Sequence, residues 1–317
     1  MDRSQGIPSV DLNQFINGSE KDRNVFVNAL GEAFREVGFV AIKNHFLSED
    51  LETKLYNVSK RFFELPDDIK LNYEIEGLNG QRGYVAKLKE HAKGHTAADL
   101  KEFFHVGQPE AKDFECPDNI EVKEVPEFLN YQLEAYKMLE KTGVYMLRAI
   151  ALHLGLDENF FDDKVQGGNS ILRSIHYFPI EDPSQVEAGS VRAAAHGDIN
   201  FITLLMGATA KGLEIQKRDG SWVAVTALPG HLVVNVGDML ERYTNDVLKS
   251  TIHRVVNPEG EQLQTSRYSM PFFMHPKPQV DLSCLDVCIS EKHPPKYEPI
   301  TAGDFLAQRL KEIGLKN

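Results

Sequence analysis

Two hydrophobic periods divide the chain. In the first half apolar residues recur every three or four positions, the spacing of one helix face. This predicts helices over residues 20–36 and 48–64, the second stopped by Leu65-Pro66. A long helix is expected from near Pro126, with an apolar stripe through Leu129, Leu133, Tyr136, Gly143, Leu147, Ile150 and Leu154. Gly38-Phe39-Val40-Ala41-Ile42 reads as a strand. Residues 78–110, rich in Gly and Lys and weak in periodicity, read as a mobile loop region. From about residue 171 the texture changes. Short apolar runs alternate with turn signals at 171–179, 191–197, 200–206, 212–216, 221–225, 231–236, 251–256 and 266–273, and Asp219-Gly220 has hairpin-turn chemistry. Strands at this spacing predict an antiparallel sandwich or jelly roll. A helix is expected near 302–314. No linker composition separates the halves. The expected architecture is one α+β domain over 1–317: a helical part at 1–165, a β core at 166–280 and a C-terminal segment and helix at 281–317.

Composition narrows the functional class. Apolar residues are 42% and charged residues 26% of 317, enough for a sizeable core. A formal net charge of −12 without any Lys/Arg block argues against a nucleic-acid partner. No run approaches the roughly 18 apolar residues of a membrane span, and the start, MDRSQGIPSVDLNQF, lacks an apolar signal core. The sparse cysteines, Cys116, Cys284 and Cys288, read as reduced thiols. The expectation is a cytoplasmic protein with no membrane partner.

Candidate chemistry begins at His196-Gly197-Asp198. Residues two apart on a strand point to one face, so both side chains reach one ion. His253, in the strand candidate Ser250-Thr251-Ile252-His253-Arg254-Val255, offers a third ligand. Two imidazoles and one carboxylate with open positions suit oxygen-activating Fe(II), although zinc tolerates the same donors. Further on, Arg267-Tyr268-Ser269 places Arg267 and Ser269 on one strand face, with Tyr268 opposite. A guanidinium beside a hydroxyl is a carboxylate receptor. In Ile171–Tyr177, Arg173, Ile175 and Tyr177 share a face, so an inward Tyr177 brings Arg173 inward too. Asn44, His45, Asn235 and Asp238 read as turn and cap residues.

His196-Gly197-Asp198, His253 and Arg267-Tyr268-Ser269 together resemble the HxD…H…RxS signature of the 2-oxoglutarate and Fe(II)-dependent oxygenases, in particular the isopenicillin N synthase-like branch. The resemblance extends over most of the chain. Ile7–Leu12, Gly38-Phe39 with Asn44-His45, and Phe62–Pro66 follow that branch. So do Gly212–Ile215, Asp219–Trp222, Val234–Asp238 and Thr244-Asn245, in order. It departs at Tyr177-Phe178-Pro179, where the family has Tyr-Pro.

The resemblance implies a double-stranded β-helix, or distorted jelly roll, flanked by helices. It implies His196, Asp198 and His253 as Fe(II) ligands. Arg267, Ser269 and Tyr177 would contact the co-substrate 2-oxoglutarate, and Arg173 is a basic position facing the site. The implied reaction uses O2 and converts 2-oxoglutarate to succinate and CO2 while a small molecule is oxidised. Hydroxylation, desaturation, ring closure and the 2-oxoglutarate breakdown of ethylene-forming relatives all remain open. Arg173 favours an anionic substrate, with residues 78–110 and the C-terminal helix as further selectors. Three rivals stand: a 2-oxoglutarate-independent oxidase like isopenicillin N synthase, a zinc hydrolase, and a non-catalytic metal-binding jelly roll. The last glutamine, Gln308, and the tail Ile313–Asn317 show no iron ligand of the kind that isopenicillin N synthase has near its C-terminus.

Overall fold

A computed structural model of the chain describes residues 6–78, 80–89, 99–109, 114, 116–180, 191–207, 212–226, 228–257 and 263–312. It opens with β1 (Ser9–Asp11), α1 (Leu12–Ile16), α2 (Glu20–Glu36), β2 (Phe39–Lys43), α3 (Glu49–Phe63) and α4 (Asp67–Leu71). Strands β3 (Gly83–Val85) and β4 (Glu102–Gly107) precede α5 (Phe128–His153) and α6 (Asp162–Val165). Then come β5 (Ile171–Tyr177), β6 (Ala193–His196), β7 (Ile202–Met206), β8 (Leu213–Gln216), β9 (Trp222–Ala224) and β10 (His231–Val236). The last elements are α7 (Asp238–Tyr243), β11 (His253–Val255), β12 (Arg267–Met274) and α8 (Ala302–Glu312).

Local chemistry fixes the early helices. Ser19 and Asp22 form a reciprocal capping box on α2. Ser48 accepts from the Leu51 amide, and acidic residues in the first turn of α3 with Lys60 and Arg61 in its last complement the helix dipole. Helix α5 starts at Phe128, just beyond Pro126. Its Gly143 permits close approach to the sheet, since a Cβ there would meet Met274 Sδ at 2.4 Å.

Two sheets build the core. The larger runs β1-β2-β10-β7-β12-β5-β4-β3, and the smaller β6-β11-β8-β9. Register gives the large sheet two different faces. Val40, Val234, Leu204, Phe272, Leu172 and Val106 form one cross-strand row on the outer face, and all are fully buried. At about 1.5–3 kcal/mol per buried aliphatic or aromatic side chain, such rows drive the helices onto the sheet. Tyr136 of α5 packs edge-on against Phe272, with ring centroids 4.9 Å apart. The neighbouring row, on the inner face, is Phe39, Asn235, Thr203, Phe273, Ile171 and Gly107. Polar residues therefore enter where the large sheet turns away from its helices.

The segment 78–110 corrects a sequence expectation. Instead of a loop alone, it contains β3 and β4, and every residue of both strands is buried. A strand covered on both faces shows no alternation, and Glu102 and His105 also break the apolar run that marks the other buried strands. Residues 90–98 lie outside the described residues. On the outer face Glu102 joins a buried ionic network. It accepts from Lys70 Nζ at 2.7 Å, pairs with His176 Nδ1 at 2.7 Å and accepts from the Tyr84 hydroxyl. Burial pushes the Glu102 carboxyl up, but hydrogen bonds from His176, Lys70 and Tyr84 outweigh it and leave it below its ordinary range. Among the described residues, no helix is long and apolar enough to cross a membrane.

Candidate metal and carboxylate site

Antiparallel pairing brings the candidate ligands together. His196 ends β6 and faces His253 at the start of β11 across one register pair. Their ring centroids are 4.5 Å apart. The Nδ1–H of His196 donates to the Ala194 carbonyl at 2.7 Å, and that of His253 to the Thr251 carbonyl at 3.2 Å. Each ring therefore presents a bare Nε2, the tautomer a metal needs. Asp198 lies just past β6. Its Oδ2 accepts from Thr203 Oγ1 at 2.6 Å and Asn235 Nδ2 at 2.8 Å. Its Oδ1 faces His196 Nε2 at 3.9 Å and His253 Nε2 at 3.7 Å. One donor atom from each residue lies within 4.8 Å of the others.

The backbone of this loop is held as well. The Asp238 amide donates to the Asp198 carbonyl at 2.7 Å. The Asp238 carboxylate accepts from Ser250 Oγ at 2.6 Å and from Arg309 Nη2 of α8 at 2.8 Å. Gly197 lets the loop pass close to Asp238: a Cβ there would come within 2.9 Å of Asp238 Oδ1, and that carboxylate would have to shift. Desolvation, then the neighbouring His253, pushes the His196 imidazole down to about 4. Burial pushes the Asp198 carboxyl up, yet both imidazoles and its two hydrogen bonds outweigh this, so it falls below its ordinary value. A neutral His196 beside an ionised Asp198 is the protonation state that binds a cation.

The candidate anion site lies on the inner face of the large sheet. Arg267 pairs in register with Tyr177, and its Cζ lies 4.8 Å from the tyrosine ring. Ser269 sits two residues on, opposite Ile175. Arg267, Ser269 and Tyr177 are all buried. Tyr268 points to the other face and stacks on His176 at 4.9 Å. Arg173 shares the face of Tyr177. Its Nε donates to His105 Nε2 at 2.6 Å, and its Cζ lies 4.1 Å from the Phe103 ring.

Comparison with known proteins agrees with this arrangement. Residues 7–127 match the family described as non-haem dioxygenase in morphine synthesis N-terminal, and residues 168–276 match the 2OG-Fe(II) oxygenase superfamily. The 2-oxoglutarate-Fe(II) type oxidoreductase hxnY of Emericella nidulans is 30% identical, over 96% of this chain and 89% of its own. The chain belongs to the 2-oxoglutarate and Fe(II)-dependent oxygenases. A 2OG-Fe(II) oxygenase family protein from Caulobacter crescentus is 41% identical with a TM-score of 0.86, covering 98% of this chain and 99% of its own. A full-length Neurospora crassa protein, solved in complex with alpha-KG and thymine, is 30% identical with a TM-score of 0.86, covering 96% of each chain. The oxygenase has the expected jelly-roll fold flanked by helices, and its class is an oxidoreductase that uses Fe(II), 2-oxoglutarate and O2 on a small-molecule substrate.

The oxygenase site also holds residues that sequence reasoning passed over. Asn235 reads as a turn residue in sequence, but it sits within β10 with its amide on Asp198. Its inward place in an apolar strand, His231–Val236, was the available signal. Asn44 keeps a structural role, in left-handed backbone with its amide on Asp11 Oδ1 at 2.8 Å. Thr203 and His105 gave no signal without the register of β7 and β4. Arg192, one residue before β6, is 1% exposed and lies beside Tyr177.

Proposed function

We propose that His196, Asp198 and His253 hold Fe(II), that Arg267 and Ser269 hold the distal carboxylate of 2-oxoglutarate with Tyr177 as a further contact to that co-substrate, and that Arg173 anchors an anionic small-molecule substrate. The observation that carries the metal assignment is the orientation of the donors: both Nδ1 atoms and Asp198 Oδ2 are occupied, so only Nε2, Nε2 and Oδ1 converge. Two neutral nitrogens and one carboxylate oxygen fit Fe(II) with positions left for co-substrate and O2. Bound Fe(II) and 2-oxoglutarate supply the oxidising chemistry, with succinate and CO2 released.

The chain's own residues bind, orient and shield. Thr203 and Asn235 keep Asp198 turned, and the Ala194 and Thr251 carbonyls fix both imidazoles. Arg267 and Ser269 give a carboxylate a charge-assisted seat out of water. His105 orients the Arg173 guanidinium over Phe103, where it can meet a substrate anion. Charge supports the set: the two carboxylates of 2-oxoglutarate would meet Fe(II) at one end and the Arg267 guanidinium at the other. The Neurospora crassa relative solved with alpha-KG and thymine supports a small-molecule substrate. The thiols Cys116, Cys284 and Cys288, none of them in a disulfide, suit a reducing cytoplasm.

The rival without 2-oxoglutarate needs a protein ligand in the co-substrate's place. Gln308 of α8 donates its amide to Glu312 at 3.5 Å, which does not favour that role. Residues 313–317 lie outside the described residues. The deciding experiment is anaerobic Fe(II) addition with and without 2-oxoglutarate, followed by O2. The expected result is a weak visible charge-transfer band only with the keto acid, then O2-dependent succinate. Turnover without any keto acid would overturn the co-substrate assignment.

A further inference from the structure

Arg192 lies outside the HxD and RxS motifs, yet its guanidinium is one of two buried beside Tyr177. It is 1% exposed, as is Arg267. Its Cζ lies 6.0 Å from the Tyr177 ring, and that of Arg267 lies 4.8 Å from the same ring. The hydrogen bond Arg192 makes runs from Nη2 to the Thr265 carbonyl at 2.9 Å, two residues before Arg267. Its Nε is buried without a hydrogen-bond partner. Among the described residues no carboxylate offsets its charge, and desolvation followed by repulsion from Arg267 pushes its pKa down to about 10.

A buried cation without a counter-ion is strongly unfavourable, and a second cation beside it raises the cost. One neutral carbonyl does not offset a guanidinium. Two buried guanidinium groups beside one ring are unfavourable alone and favourable with an anion that meets both. From this juxtaposition we infer that Arg192 is a second binding residue for the distal carboxylate of 2-oxoglutarate, which Arg192 and Arg267 engage together beside Tyr177. The inference rests on the co-substrate assignment above. It adds a selectivity that a single Arg-Ser pair supplies less strongly: the pocket should reject 2-oxo acids that lack a distal carboxylate, because the Arg192 guanidinium would then stay buried against a methyl group.

The test is anaerobic calorimetry on the Fe(II)-loaded protein with two probes, 2-oxoglutarate and 2-oxopentanoate, which ends in a methyl group. Arg192→Gln removes the charge while keeping a donor for the Thr265 carbonyl, and Arg192→Met removes both. Each should raise the Kd for 2-oxoglutarate by about 10- to 100-fold and leave that for 2-oxopentanoate within about twofold. Thermal melting of the ligand-free variants supplies a second readout. Removing an uncompensated charge should leave Tm unchanged or higher, whereas loss of a merely structural guanidinium would lower it. Should Arg192→Met fail to fold, Arg192→Gln carries the comparison. An unchanged Kd for 2-oxoglutarate, or equal weakening of both probes, would overturn the inference. Failure of the unsubstituted protein to bind 2-oxoglutarate would overturn the co-substrate assignment itself, and this inference with it.

Discussion

At the scale of residues, the Arg-Ser pair was legible because its spacing follows from strand geometry, and the triad from its residue types, since Asp198 lies just past the end of β6. The residues that orient them were not. Thr203 and Asn235 lie on β7 and β10, and the register of those strands brings both to Asp198, just past β6. Alanine at His196, Asp198 or His253 should abolish Fe(II) binding and leave the fold intact. Metal titration with circular dichroism checks both halves, and near-normal iron binding in two of the three variants would reject the site. Asn235→Leu is a finer test. It frees one lone pair of Asp198 Oδ2 and lets the carboxylate rotate, so Fe(II) affinity should fall about 10- to 100-fold with the ligands all present. Arg267→Ala should weaken 2-oxoglutarate binding by about 2–4 kcal/mol, measured anaerobically, as for loss of a desolvated charge pair.

Elements were legible wherever caps or turns bracketed an apolar run, even where the strand proved almost wholly buried, as in β10 and β12. Helices α2 and α3 carried both a periodic stripe and a cap, and the strands from β5 onward were bracketed by turns. Strands β3 and β4 were hidden because β4, Glu-Phe-Phe-His-Val-Gly, interrupts its apolar residues with Glu102 and His105 inside a Gly- and Lys-rich stretch. It mixes charge with aromatics because its two faces do different work. Phe103 and His105 meet the site side, while Glu102 holds Lys70, Tyr84 and His176 behind it. Removing one member of a buried pair leaves the other stranded. Lys70→Met should therefore cost about 3–5 kcal/mol in urea unfolding. Lys70→Met with Glu102→Gln should recover part of that loss. A cost for the single variant below about 1 kcal/mol would show that the network is dispensable.

For the whole molecule, acid should act in two stages. His275 is buried, and desolvation pushes it down to about 4 from 6.5. The unfolded chain takes up that proton near 6.5 while the folded one refuses it, so stability falls as pH drops from 6.5 toward 4. Glu102 acts in the same direction at lower pH. Its depressed carboxyl contributes fully above its ordinary value of 4.5, and the contribution is lost as pH falls from there through the folded-state value. Melting curves of the metal-free protein should show both stages, and His275→Leu should make the first shallower, the remainder coming from His196, whose imidazole burial also pushes down to about 4. An unchanged slope across the first stage in that variant would refute the assignment. The strand order of the large sheet carries a kinetic consequence. Strand β12, the last of the strands to be synthesised, sits in the interior and joins β7 on one side to β5 on the other. Until it arrives, the two parts of the sheet have no common edge to hydrogen-bond through. Sheet closure is then a late event between distant segments, of the kind that slows folding. Because β12 also carries Arg267 and Ser269, the pocket for the keto acid comes into being at the moment the sheet closes, and a nascent chain halted before Arg267 would have neither.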